Sequence, residues 1–168
     1  VEQATGSNHA DTLDASGLGG HVELNGRGGN DTITGTDQGD VLRGGDGDDT
    51  INAGKGDDKI WGNAGNDSLS GGAGDDRFVL SDDNGSTNST AGVDGGDGFD
   101  IVNAKWAGEG IDLDLDLANV EQATGSNHAD TFLASGQTQS LNARGNGNDG
   151  DTLGFSGLSA AEKTAVAD

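Results

Sequence analysis

Six aspartates recur at nine-residue intervals, Asp31, Asp40, Asp49, Asp58, Asp67 and Asp76, and two residues after each stands a large apolar side chain: Ile33, Leu42, Ile51, Ile60, Leu69 and Phe78. From Gly26 to Val79 the chain divides without gaps into six nonapeptides, with Asp sixth and the apolar residue eighth in every one. The first position is Gly except at Ala53, and the fourth is Gly except at Gln38. Short carboxylates beside glycine turns are the oxygen donors that a hard cation needs. Glycines at the first position, at the second (Gly45, Gly54, Gly72) and at the fourth (Gly29, Gly47, Gly56, Gly65, Gly74) predict positive φ and carbonyl oxygens turned inward, with no Cβ in the way. Carboxylate and carbonyl oxygens together suit the six to eight ligands of Ca²⁺; Mg²⁺, which keeps its water, fits less well.

Such a site needs elements that stack. The last three residues of each repeat, such as Thr32-Ile33-Thr34, predict a short strand whose central side chain alone faces inward. One turn and one strand cannot bury that side chain alone, so successive repeats must coil. With two nonapeptides per coil, repeats two apart lie about 4.8 Å from each other. Asp31, Asp49 and Asp67 then line one edge, and Asp40, Asp58 and Asp76 the other. Pairing the first repeat with the third, through the fourth with the sixth, predicts about four interior calcium sites.

These residues resemble the nonapeptide G-G-x-G-x-D-x-U-x of the RTX (repeats-in-toxin) family. The resemblance implies an all-β fold, a right-handed parallel β-roll (β-solenoid) with calcium between stacked turns. It also implies the setting: bacterial proteins exported by type I secretion, among them toxins, proteases, lipases and large adhesins.

Weaker copies flank the clean run. Gly6 to Asp14 carries Asp11 and Leu13, Gly95 to Asn103 carries Asp100 and Val102, Gly125 to Leu133 carries Asp130 and Phe132, and Asp151 precedes Leu153. These read as roll-like turns with incomplete calcium cages. Gly17 to Asn25 keeps Leu24 but has Val22 in the aspartate place, so it should stack without supplying a carboxylate. The expected organisation is a roll over 1–79, a polar loop over 80–94 and a more degenerate roll over 95–168 that stacks on or continues the first. Ile111, Leu113, Leu115 and Leu117 alternate with Asp112, Asp114 and Asp116 and predict a strand with one apolar face. Ser159 reads as the cap of a short terminal helix, although a frayed end fits the same residues.

A longer repeat overlies the short one: VEQATGSNHADT occurs at 1–12 and again at 120–131, a period of 119 residues. This duplication, and the absence of methionine, lead us to expect a piece of a longer array.

Composition agrees with a thin core, since 30% of the 168 residues are hydrophobic and 4% aromatic, well below the usual apolar share. Eight Lys+Arg against thirty Asp+Glu leave a net charge of −22, which argues against nucleic acid and membrane insertion as partners and demands a neutralising cation. No cysteine is present, so thiolate metal sites and disulfides are excluded. The EF-hand places starting at Asp112 hold Leu117 and Ala123 where Gly and Glu are required. No H-E-x-x-H or G-x-S-x-G occurs, and His9, His21 and His128 read as turn residues, so no catalytic residue is assigned. Asn84 and Asn88 match the glycosylation triplet within polar loop composition, and Trp61 and Trp106 could mark a partner surface.

The expected function is a calcium-binding module that folds on extracellular calcium and serves as a structural or adhesive repeat of a large secreted or cell-surface bacterial protein. Its expected partners are calcium and neighbouring copies of the module. The second reading is the secretion and stabilising domain of an exported enzyme whose catalytic part lies elsewhere.

Overall fold

The computed structural model describes residues 1–81, 92–108, 110–114, 119–135, 142–144 and 150–156. The expected terminal helix at Ser159, the triplets at Asn84 and Asn88, and Leu115 and Leu117 of the alternating segment lie outside the described residues, as does most of the polar loop.

Every described element is a strand: β1 Glu2–Thr5, β2 Thr12–Asp14, β3 Val22–Gly28, β4 Thr32–Thr34, β5 Val41–Asp46, β6 Thr50–Lys55, β7 Lys59–Ala64, β8 Ser68–Ala73, β9 Arg77–Ser81, β10 Val93–Asp97, β11 Ile101–Trp106, β12 Asp112–Asp114, β13 Gln122–Thr124, β14 Thr131–Ser135, β15 Asn142–Arg144 and β16 Thr152–Ser156. The odd strands form one eight-stranded sheet in the order β1-β3-β5-β7-β9-β11-β13-β15. The even strands form a five-stranded sheet, β10-β8-β6-β4-β2, and a three-stranded one, β12-β14-β16. All pairings are parallel. Alternate strands therefore go to alternate faces, which is the β-solenoid expected from two nonapeptides per coil.

Register follows the apolar column. Leu24, Leu42, Ile60, Phe78, Val102 and Ala123 stand opposite one another up the long sheet. Leu13, Ile33, Ile51, Leu69 and Val93 do the same on the other face. All but Leu13 are buried, and these two rows of single side chains make up most of the core, which Val22, Ala53, Leu80, Ala104 and Phe132 extend. With a period-two strand, only this register puts the apolar row inside.

β4 is the three-residue strand expected at Thr32–Thr34, but in the following repeats the strands are longer. β5 runs Val41–Asp46 and β7 Lys59–Ala64, so each continues into the third residue of the next repeat. A second inward position is thereby created at the first residue of the repeat, occupied by Gly44 and Gly62 and, at 0% exposure, by Ala53. The glycine preference there is corrected accordingly: first-position glycines do not have positive φ, and what excludes larger side chains is space. All eight glycines expected at the second and fourth positions do have positive φ, with Gly45 at 123° and Gly47 at 124°. Arg27 and Asn63 hold the second position with φ of 82° and 69°.

Beyond residues 82–91 the chain rejoins both sheets: β10 pairs in parallel with β8, Val93 opposite Leu69, and β11 with β9, Val102 opposite Phe78. The duplicated segments take equivalent places: β1 and β13 belong to the long sheet, and β2 and β14 begin at Thr12 and Thr131 on the even side. Outward on the long sheet, Trp61 is partly covered by the Arg43 guanidinium, 4.7 Å from its ring centre, while Arg43 also pairs with Glu23 at 2.8 Å. Trp106 is 64% exposed.

Candidate metal centre

The sixth-position aspartates sit where each strand begins, and the roll buries them. Asp31, Asp40, Asp49, Asp58, Asp67, Asp76, Asp100 and Asp130 are all buried. Each uses Oδ1 to tie one coil to the next: Asp31 N–H donates to Asp49 Oδ1 at 2.8 Å, Asp49 N–H to Asp67 Oδ1 at 3.0 Å, Asp40 N–H to Asp58 Oδ1 at 2.6 Å and Asp58 N–H to Asp76 Oδ1 at 2.9 Å. Two ladders result, on opposite edges of the roll. One runs through Asp11, Asp31, Asp49 and Asp67. The other runs from Val22 through Asp40, Asp58, Asp76 and Asp100 to Glu121. Further along, Ile111, Asp130 and Asp151 continue the same pattern, Asp151 being exposed.

The second carboxylate oxygen is where the chemistry lies. Oδ2 of Asp31, Asp49, Asp58, Asp67, Asp76, Asp100 and Asp130 is buried with no hydrogen-bond partner. A buried ionised oxygen without a donor costs several kcal/mol, so something positive is required beside it. The ion pairs Arg43–Glu23 and Lys55–Asp37 do not supply it, since they lie at the surface.

Burial is the first cause that pushes these carboxyls up, to about 7 for Asp49, Asp58 and Asp100 and to about 6 for Asp67 and Asp76. Hydrogen bonds from the stacked backbone oppose the rise, and neighbouring carboxylates add to it.

The surroundings of each bare oxygen are made of glycine and carbonyl. A Cβ built on Gly26, Gly44, Gly62 or Gly71 would overlap Oδ2 of the aspartate five residues on. Between coils, the carbonyl oxygens of Arg27 and Gly29 face Gly45 and Gly47, and those of Gly47, Gly54 and Gly56 face Gly65, Gly72 and Gly74. No group of three or more His, Asp or Glu side chains that could hold a metal occurs among the described residues. A cation at these turns would therefore take one or two carboxylates and fill the remaining places with backbone carbonyls. That donor set is all oxygen and flexible in number, which suits calcium and not zinc.

The fit is uneven along the ladders. Asp31, Asp49 and Asp67 on one edge, and Asp58, Asp76 and Asp100 on the other, bring bare oxygens to consecutive coils. Asp40 is buried, yet both its oxygens are taken: Oδ1 by the N–H of Val22 at 2.8 Å and the Thr36 hydroxyl at 3.2 Å, Oδ2 by the N–H of Thr36 at 2.6 Å. At Asp11 the N–H and hydroxyl of Ser7 both donate to Oδ2 and keep the carboxyl below the ordinary range. Glu121, 6% exposed, occupies the aspartate column and accepts the Asp100 N–H at 2.8 Å. The aspartate spacing does not reveal it, because a longer acid stands there; its place directly before Gln122 and Ala123 is the only hint in the sequence.

A stacked roll with carboxylates on both edges and carbonyl-lined glycine turns is the architecture of a calcium-binding repeat module. Residues 5–42, 25–60, 43–78 and 53–86 each match the family described as the RTX calcium-binding nonapeptide repeat, and over residues 5–86 the chain belongs to that family. No curated protein and no solved structure matches the chain.

Proposed function

We propose that this chain is a calcium-folded structural and adhesive module of a large bacterial protein that is secreted or held at the cell surface. The observation that carries the reading is the set of seven buried Oδ2 atoms without partners, in a chain of net charge −22. Without a cation, stacking the turns concentrates carboxylates that repel one another; with calcium, each turn is neutralised as it closes, and binding becomes folding. Extracellular calcium modules commonly have Kd of about 10⁻⁴–10⁻³ M, so such a roll stays open in the cytosol and closes outside. RTX repeats generally belong to secreted bacterial proteins, which supports this setting. The 119-residue duplication supports a role as one unit among several, since both copies start a coil on the same sheet.

Far-UV circular dichroism during calcium titration, with magnesium as control, tests the reading. A disordered spectrum that becomes β-rich with calcium and not with magnesium is expected. A roll already complete after thorough chelation would overturn it.

A further inference from the structure

We propose that the turn Gly35–Asp40 is closed by the Thr36 hydroxyl and backbone in place of a metal ion, and that calcium is excluded from it; this rests on the calcium reading of the glycine turns. In those turns one carboxylate oxygen is bound to the stacked backbone and the other is bare. In Gly35–Asp40 no oxygen is left over, since Val22 N–H, Thr36 N–H and the Thr36 hydroxyl occupy both. Thr36 is 2% exposed and Asp40 1%, so these bonds are sheltered from water. A cation at Oδ2 would have to share that oxygen with the Thr36 N–H, or displace it and leave the donor buried and unpaired.

The backbone departs in the same direction. Thr36 Oγ1 accepts the Gln38 N–H at 3.0 Å and stands within hydrogen-bond reach of Asp40 Oδ1 at 3.2 Å and the Gln38 carbonyl at 3.3 Å. This side-chain turn needs no positive φ, and neither Thr36 nor Gln38 has one. Its consequence shows at the coil above. In the glycine turns the atom nearest the place a Cβ would take on the stacked fourth-position glycine is a carbonyl oxygen: Gly29 O at Gly47, Gly47 O at Gly65, Gly56 O at Gly74. Above Gly35–Asp40 the atom nearest that place on Gly56 is the amide nitrogen of Gly39. A cation there would meet an N–H where its neighbours meet a ligand.

A related arrangement stands at Gly6–Asp11, where Ser7 donates both N–H and hydroxyl to Asp11 Oδ2, His9 N–H bonds Ser7 Oγ at 3.2 Å, and the amide nitrogen of Ala10 faces Gly29. At Gly125–Asp130 it is half built: Ser126 donates to Asp130 Oδ1 at 2.8 Å, but Oδ2 stays bare. What marks a turn that closes without metal is thus a second-place residue that gives both its N–H and its hydroxyl to the aspartate, as Thr36 and Ser7 do and Ser126 does not. On that edge the calcium run begins at Asp58.

Native mass spectrometry of the full chain, saturated with calcium, counts the ions. Thr36→Gly combined with Gln38→Gly should bind one ion more than the parent, Thr36→Ser the same number, Asp58→Asn one fewer, and Asp40→Asn no fewer. A double variant that is β-rich in calcium but gains no ion overturns the proposal. If the double variant fails to fold, Asp40→Asn decides: loss of an ion, as in Asp58→Asn, also overturns it. A parent that binds no calcium sinks the calcium reading itself and this proposal with it.

Discussion

The N–H of Asp31 donates to Oδ1 of Asp49 at 2.8 Å across 18 residues of sequence, while Oδ2 of Asp49 has no partner. One carboxylate therefore does two things: it joins consecutive coils, and it presents a charged oxygen that the protein alone leaves unsatisfied. Folding and cation binding are coupled through a single side chain.

Asp49→Asn separates these roles, because the amide keeps an acceptor for the Asp31 N–H and loses the charge. The calcium midpoint of folding should rise by about tenfold, as removing a charged ligand weakens such sites. Asp48→Asn, at an exposed neighbour whose Oδ1 accepts the Asn66 N–H, should leave the midpoint nearly unchanged. Equal effects of the two substitutions would mean that overall charge, and not the ladder, sets affinity.

Ile51, 1% exposed between Ile33 and Leu69, tests the core. Ile51→Ala should cost about 2–5 kcal/mol in calcium-saturated denaturant unfolding. In so thin a core no second layer is available to close the cavity, and a loss below about 1 kcal/mol would contradict the packing described.

Arg27 holds a φ of 82° at a place where Gly45, Gly54 and Gly72 stand in other repeats. Arg27→Gly removes a left-handed penalty of about 1–2 kcal/mol, partly offset by the greater freedom of glycine when unfolded. A net gain of up to about 1 kcal/mol is expected in thermal or denaturant unfolding with calcium. Destabilisation would show that the arginine side chain contributes more than its backbone costs.

Acid should partly replace calcium. Burial raises Asp49, Asp58 and Asp100 to about 7 and Asp67 and Asp76 to about 6, against an ordinary value of 3.8. The metal-free roll thus binds protons more tightly than the unfolded chain does. Its contribution from these groups is complete below pH 3.8 and is lost as pH rises through about 6 to 7. In chelator, circular dichroism should show more β structure near pH 4 than at pH 8, and calcium binding near pH 6 should release protons. More metal-free structure at pH 8 would reverse the sign and refute the argument.

The sequence by itself determined the coil. A period of nine, with Asp sixth and an apolar residue eighth, placed Ile33, Leu42, Ile51, Ile60, Leu69 and Phe78 in the core and assigned the carboxylates to two edges, because strand alternation and glycine turns are local properties of the backbone. Only the tertiary structure decided which carboxylates are left bare. Asp40 and Asp58 occupy the same column and look alike in the repeat, yet Thr36 fills the first and nothing fills the second. Glu121 joined the column through its stacking on Asp100, and the first-position glycines proved to be limited by space beside a carboxylate and not by φ. The physical reason is common to all three. Whether a buried oxygen is satisfied depends on donors that stacking and turn closure bring to it, and those contacts exist only once the chain has coiled.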